Sequence, residues 1–229
     1  MKFTPGPFVS QLSGSIGGQT FSRNRGGQYA RARAIPVTST TEQALAAKAR
    51  LATASAAWQG LTNQQRASWL MWAVANPITD ALGKSIQLTG QQAYVGNHVR
   101  MSIAGAAPLT APPILPAPLA LTVGEQDADI GAGEVELVFA ATPLAADEYI
   151  WLQAAVTSSA GINYVQNLLK LCAISAAAQA SPYSNQTQIE NRIGVLVVDT
   201  KLTVFASVFS DATGLLSPPI RSSVIVDTT

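Results

Sequence analysis

The stretch from Ser10 to Pro36, SQLSGSIGGQTFSRNRGGQYARARAIP, decides how the rest of the chain is read. It shows no apolar period of helix or strand, and its five glycines (Gly14, Gly17, Gly18, Gly26, Gly27) leave the backbone free. Arg23, Arg25, Arg31 and Arg33 stand there without an acidic residue, among isolated apolar anchors at Ile16, Phe21, Tyr29 and Ile35. Such a segment cannot bury enough surface to order itself. The expectation is an extended basic arm over residues 1–38 held by a neighbouring subunit, with Phe21, Arg23, Arg25, Tyr29, Arg31 and Arg33 as its partner-binding side chains.

Outward from the arm, the 229 residues suffice for one large domain or two small ones. Charged residues make up only 12 %, against roughly 25 % in an ordinary soluble domain, which suits a protein packed in an assembly. The lone cysteine, Cys172, cannot form an internal disulfide and reads as a small buried side chain. Pro5 and Pro7 interrupt the opening residues, so no secretory leader is expected and the chain reads as made in a host cytoplasm. Met101 to Val123 is long enough to span a membrane, but its five prolines predict an extended linker, placed at residues 106–118.

Charge divides at that linker. Residues 1–105 carry ten Lys/Arg against Glu42 and Asp80, whereas residues 106–229 carry four against eleven acids. Copies could therefore meet head to tail.

Between arm and linker, residues 39–105 read as helical. Thr40 with Gln43 fits a capping box, and Ala47, Leu51, Ala54, Trp58 and Leu61 form one apolar stripe up to Gly60. Thr62 with Gln65 caps a second helix, Asn63 to Ala75, stopped by Asn76-Pro77. The tight connection predicts an antiparallel helical hairpin. Asp80 to Thr89 reads as a turn and short strand, and Thr89 with Gln92 caps a third helix, Gly90 to Ile103. Trp58, Trp69, Trp72 and Tyr94 are assigned to the core of this bundle.

Beyond the linker the period becomes two. Val135, Leu137 and Phe139 alternate with Glu134 and Glu136, and further strands are read at Tyr149–Val156, Ile193–Val198, Leu202–Phe209 and Ile220–Val226. Residues 119–229 match an immunoglobulin-like or fibronectin-like sandwich in size. Within residues 158–188, Leu168 to Ala180 could be a strand followed by a short helix. The fold class is thus α+β: an arm, a small helical bundle or hairpin, and an all-β sandwich.

The residues offer little chemistry. Gly83-Lys84-Ser85 resembles the end of a phosphate-binding loop, but Ile78 stands where its first glycine is required. His98 is the only histidine and reads as structural or surface. Asp127-Ala-Asp129-Ile-Gly131-Ala-Gly133-Glu134 lacks the third ligand and glutamate spacing of a calcium loop, and reads as a solvated turn before a strand. No catalytic, cofactor or metal site is expected. The arm's arginines and aromatics could track single-stranded nucleic acid, yet spaced anchors on a glycine-rich arm suit protein contact better.

The run Ser13-Gly14-Ser-Ile-Gly17-Gly-Gln-Thr-Phe21-Ser-Arg23-Asn-Arg25-Gly26-Gly-Gln-Tyr29-Ala-Arg31 resembles the N-terminal signature of small uncharacterised proteins encoded among tailed-bacteriophage and prophage structural genes. In those proteins an L-T-x-x-Q-R-x-x-W helix follows, here Leu61-Thr-Asn-Gln-Gln65-Arg66-Ala-Ser-Trp69. The likeness covers residues 10 to 105. It implies a non-enzymatic virion component, a capsid decoration or cement protein first and a tail or neck component second, contacting other virion proteins and copies of itself. A nucleic-acid-binding role is the alternative from another class, and no membrane partner is implied.

Overall fold

The computed structural model describes residues 11–24, 27–35, 37–79, 83–131, 134–140 and 143–228. Two compact units divide it, residues 1–47 and 48–229, with the boundary inside the first helix.

In the first unit, β1 (Gly14–Ile16), β2 (Gln19–Asn24) and β3 (Gly27–Ala32) form an antiparallel meander. The arm is therefore not simply extended, as its missing apolar period suggested. Turn chemistry supplies what periodicity lacks: Ile16 pairs with Gln19 across Gly17 and Gly18, whose φ values of 54° and 84° suit a two-residue turn with both central residues left-handed. Asn24 pairs with Gly27 on the other side. Register here is set by turns and not by a buried face.

Helix α1 runs from Glu42 to Gly60 and α2 from Asn63 to Ala75. α1 starts one residue later than a cap at Thr40 would place it, with Leu45 N donating to Thr41 O. Both bounds of α2 fall where the sequence put them, and Thr62 and Gln65 complete a reciprocal capping box. The expected α1–α2 antiparallel hairpin is absent. Arg66, in the first turn of α2, donates from Nε to Trp58 O and from Nη2 to Gln59 O. Those bonds occupy carbonyls in the last turn of α1, and Leu51 stays half exposed.

After a minimal hairpin, β4 (Ile78–Thr79) with β5 (Ser85–Ile86), comes α3 (Gly90–Ala104), opened by the Thr89–Gln92 capping box and closed by left-handed Gly105. α2 takes α3 as its packing partner. The crossing is close because Gly90 has no side chain, and a Cβ there would lie 2.8 Å from Leu70 N. Trp69, Ala73, Ala93 and Tyr94 form the buried centre, flanked by Trp58 and Trp72. Trp69 and Tyr94 meet edge to face at 5.4 Å, and Trp69 Nε1 reaches out to Thr110 O in the proline-rich segment.

The β-rich part contains β6 (Thr122–Asp129), β7 (Glu134–Ala140), β8 (Glu148–Thr157), β9 (Lys170–Ile174), β10 (Tyr183–Ser184), α4 (Gln186–Ile193), β11 (Lys201–Ser210), β12 (Leu215–Leu216) and β13 (Ile220–Ile225). One sheet has the order β10-β7-β6, and the other places β11 between β8 and the β12 and β13 segments, with β9 beyond β8. All these pairs are antiparallel. Val135 and Leu137 of one sheet share a core with Ile150, Leu152, Leu202 and Val204 of the other.

Two readings of this region need correction. Ile193–Val198 is not a strand: α4 ends at Ile193, and Val195, Val197 and Val198 stay exposed while only Leu196 is buried. Alternation was present there, but the segment finds no strand to pair with. Leu168 to Ala180 holds the strand β9, and the helix of this region lies beyond it at 186–193, where Gln186-Thr-Gln-Ile189 buries only Ile189. Asp127 and Asp129 belong to β6 and are not in a turn, and Ile130-Gly131 form a turn.

β11 is buried on both sides. Leu202, Val204, Ala206 and Val208 face the inter-sheet core, while Phe209 meets Trp151 and Met101 of α3 in a second cluster. α3 is tied there by Asn97 Nδ2 donating to Thr213 O and Arg100 Nε donating to Gly214 O, both at 2.9 Å. The helical and β-rich segments thus belong to one unit.

Gly214 has φ of 65°, and a Cβ there would fall 2.3 Å from Asn97 Nδ2. Gly214→Ala should therefore destabilise the protein by roughly 1–3 kcal/mol. Gly161→Ala, whose nearest atom would be 3.9 Å away, should change stability by less than about 0.5 kcal/mol. Chemical denaturation of the two variants checks the contrast.

Candidate interaction surface

The side chains read as partner-binding lie on the meander, and its register sorts them. Cross-strand pairs Thr20–Arg31 and Ser22–Tyr29 fall on one face, and Phe21–Ala30 and Arg23–Gln28 on the other. Arg33 N donates to Gly18 O at 2.8 Å and continues the ladder past Ala32, in step with Tyr29 and Arg31. The six predicted residues are thus not one patch. Tyr29, Arg31 and Arg33 form one group, Phe21 and Arg23 another, and Arg25 lies outside the described residues.

The Phe21 face is the more apolar. Ile16, paired with Gln19, joins it and is 73 % exposed, and Ala30 and Ala32 complete it. Gln28 is the buried side chain of the meander, and its Oε1 accepts from Leu12 N at 3.3 Å. Arg23, Arg31 and Arg33 are exposed, and Phe21 and Tyr29 half-buried. The Gly-Gly turn was a hairpin signal in the sequence that could have predicted this sorting.

Elsewhere, the described residues hold no group of three His, Cys, Asp or Glu side chains placed for a metal. His98 is buried on α3 against the Tyr94 ring, 5.7 Å between centroids. Gly83-Lys84-Ser85 leads into β5, a strand where a phosphate loop would open a helix. Cys172 is half-buried on β9, and burial raises its thiol pKa. No described helix is long and apolar enough to cross a membrane.

Compared with protein-family models, with curated proteins and with solved structures, the chain matches none.

Three tyrosines are held protonated. Tyr149 Oη donates to Asp211 Oδ2 at 3.0 Å, and that bond, with burial and the Asp211 and Asp147 charges, raises its pKa. Burial raises those of Tyr94 and Tyr183. In the unfolded chain these phenols ionise near 10, so above that pH the unfolded state binds fewer protons and stability falls. Their contribution is complete below pH 10 and is lost as pH rises toward the folded values. Denaturation midpoints should therefore hold up to about pH 10 and drop above it, and Tyr149→Phe should lessen the drop. A Tyr149→Phe variant with an unchanged alkaline slope would show that the Asp211 contact plays no part.

Proposed function

We propose that the chain is a non-enzymatic structural protein of a tailed-phage particle, present in many copies and attached through its N-terminal meander. A capsid decoration or cement role is the first reading, and a tail or neck component the alternative within that class. The observation that carries it is the meander itself. Among the described residues its three short strands bury only Gln28 and leave Ile16 at 73 % exposure, and Ile35 and Val37 just beyond them are 79 and 95 % exposed. A sheet this small needs an apolar face to pack on. The virion assignment rests on the resemblance carried by Ser13 to Arg31 and by Leu61 to Trp69.

The β-rich part is read as an immunoglobulin-like or fibronectin-like sandwich, on the strength of two antiparallel sheets with a shared apolar core. It would face outward or contact the next copy. The Phe21 face is the docking face, because its apolar content supplies the larger energy, roughly 1.5 to 3 kcal/mol for one fully buried large side chain. The arginines guide encounter, since exposed charge pairs contribute about 0.2 to 1 kcal/mol and weaken with salt.

A second reading draws on the opposite face. Tyr29 with exposed Arg31 and Arg33 is a combination that stacks on bases and meets phosphates. Binding of that kind would fall steeply with salt concentration.

Deleting residues 1–36 should leave the remainder folded and abolish attachment to particles, read as occupancy per particle. Phe21→Ala should reduce occupancy at every ionic strength, and Tyr29→Ala should leave it nearly unchanged. The reverse order would move the docking face. Retention of a Tyr29-dependent, sequence-selective nucleic-acid complex by the full chain would favour the second reading.

A further inference from the structure

Two surface features at opposite ends of β11 lack partners, and they match. Beside the Thr213–Gly214 turn a groove of about 770 Å³ lies among the end of α2, α3, the proline-rich segment and β12. Trp72, Leu88, Leu115 and Leu216 line it, with Ile114 fully exposed at its rim. Among the described residues, Arg100 is the one charged residue of this lining. Its Nε is used by Gly214 O, but its Nη1 and Nη2 donors find no partner among the described residues. Nη1 lies over Gly96, where a Cβ would come within 3.7 Å. A half-buried guanidinium in an apolar groove presents a planar fork suited to a carboxylate.

At the other end, the Gly194–Thr200 loop leads into β11. Val195, Val197 and Val198 are 81, 60 and 39 % exposed, while Leu196 beneath them is buried. Asp199 N donates to Val226 O and Val226 N to Thr200 O, so the loop is fixed at its base. Asp199 sits at φ of 64°, a left-handed conformation that few non-glycine residues adopt. Its exposed carboxylate has no hydrogen bond or ion pair among the described residues. A held loop offering three valines and one free carboxylate is the complement of an apolar groove with one free guanidinium.

The ten residues of β11 separate the two features by about 30 Å at the usual strand rise, so a chain cannot fill its own groove with this loop. We propose that the groove receives the Gly194–Thr200 loop of a second copy, with Asp199 on Arg100 and the exposed valines against Trp72, Leu115 and Leu216. The contact joins the net-positive half of one copy to the net-negative half of the next. Groove and loop are different surfaces, so the contact is heterologous and repeats into a ring or a filament. The assignment deepens the multi-copy reading by naming one of its contacts.

Sedimentation velocity on the full chain over a concentration series tests it. Wild-type protein should associate, and Arg100→Glu or Asp199→Lys alone should weaken association by at least about thirtyfold. An equimolar mixture of the two variants should associate again, because each groove then meets a loop of opposite charge. Should Arg100→Glu lose its folded circular-dichroism spectrum, Ile114→Asp at the exposed rim serves as the groove variant and should also dissociate the copies. A monomeric wild type, undiminished association of Asp199→Lys, or association undiminished by Ile114→Asp overturns the assignment. So does a mixture of folded charge variants that stays apart. Any of those results alongside meander-dependent attachment to particles would remove this contact and leave the multi-copy reading standing.

Discussion

The packing of both faces of β11 and β8 is the constraint on which the second unit depends. A strand pair with one buried face can leave the other to water, and its sequence then alternates cleanly. Here Leu202, Val204, Ala206 and Val208 are committed to the inter-sheet core, and Phe209 with Trp151 requires a cover of its own. Met101 of α3 provides it. Burying side chains of that size contributes roughly 1.5 to 3 kcal/mol each, several times what a surface ion pair supplies. The helical segment is therefore held to the sheet by apolar area, and the Asn97 and Arg100 hydrogen bonds to Thr213 and Gly214 fix its position along the sheet.

Once α3 is fixed, the rest of the bundle follows. α2 lies on α3 because Gly90 permits close approach, Trp69 then reaches Thr110, and the proline-rich segment is drawn along the bundle. The groove containing Arg100 is a product of that sequence of contacts, bounded by α2, α3, the prolines and β12. Arg100 loses solvent there, which lowers its pKa, and among the described residues gains one carbonyl in exchange. Buried charge left without a counter-charge is unfavourable, so a carboxylate delivered from outside would relieve it.

The first unit obeys a different rule. Its strands are set by turns, its single buried side chain among the described residues is Gln28, and Ile16 stays exposed while Phe21 and Tyr29 are half-buried. A meander built in that way is ordered locally but incomplete energetically. Separation of Phe21 and Arg23 from Tyr29, Arg31 and Arg33 gives it two chemically distinct faces, one suited to an apolar surface and the other to anions.

The sequence by itself determined what depends on neighbours along the chain. The capping boxes at Thr62–Gln65 and Thr89–Gln92 placed the starts of α2 and α3, because a side chain three residues away satisfies the free amides. Strict alternation at Val135, Leu137 and Phe139 placed β7, whose side chains enter one core. Tertiary structure decided which elements meet. Alternation at 195–198 could not make a strand without an edge to pair with, whereas Gln186–Ile193 became a helix with only Ile189 buried. α2 chose α3 over α1 because Arg66 closes the end of α1 and Gly90 opens the side of α3. Which of the described arm residues share a face follows from the strand register. A one-residue change of register exchanges the faces of a strand, and among the described residues of Ser13 to Arg31 the turn geometry at Gly17 and Gly18 fixes that register.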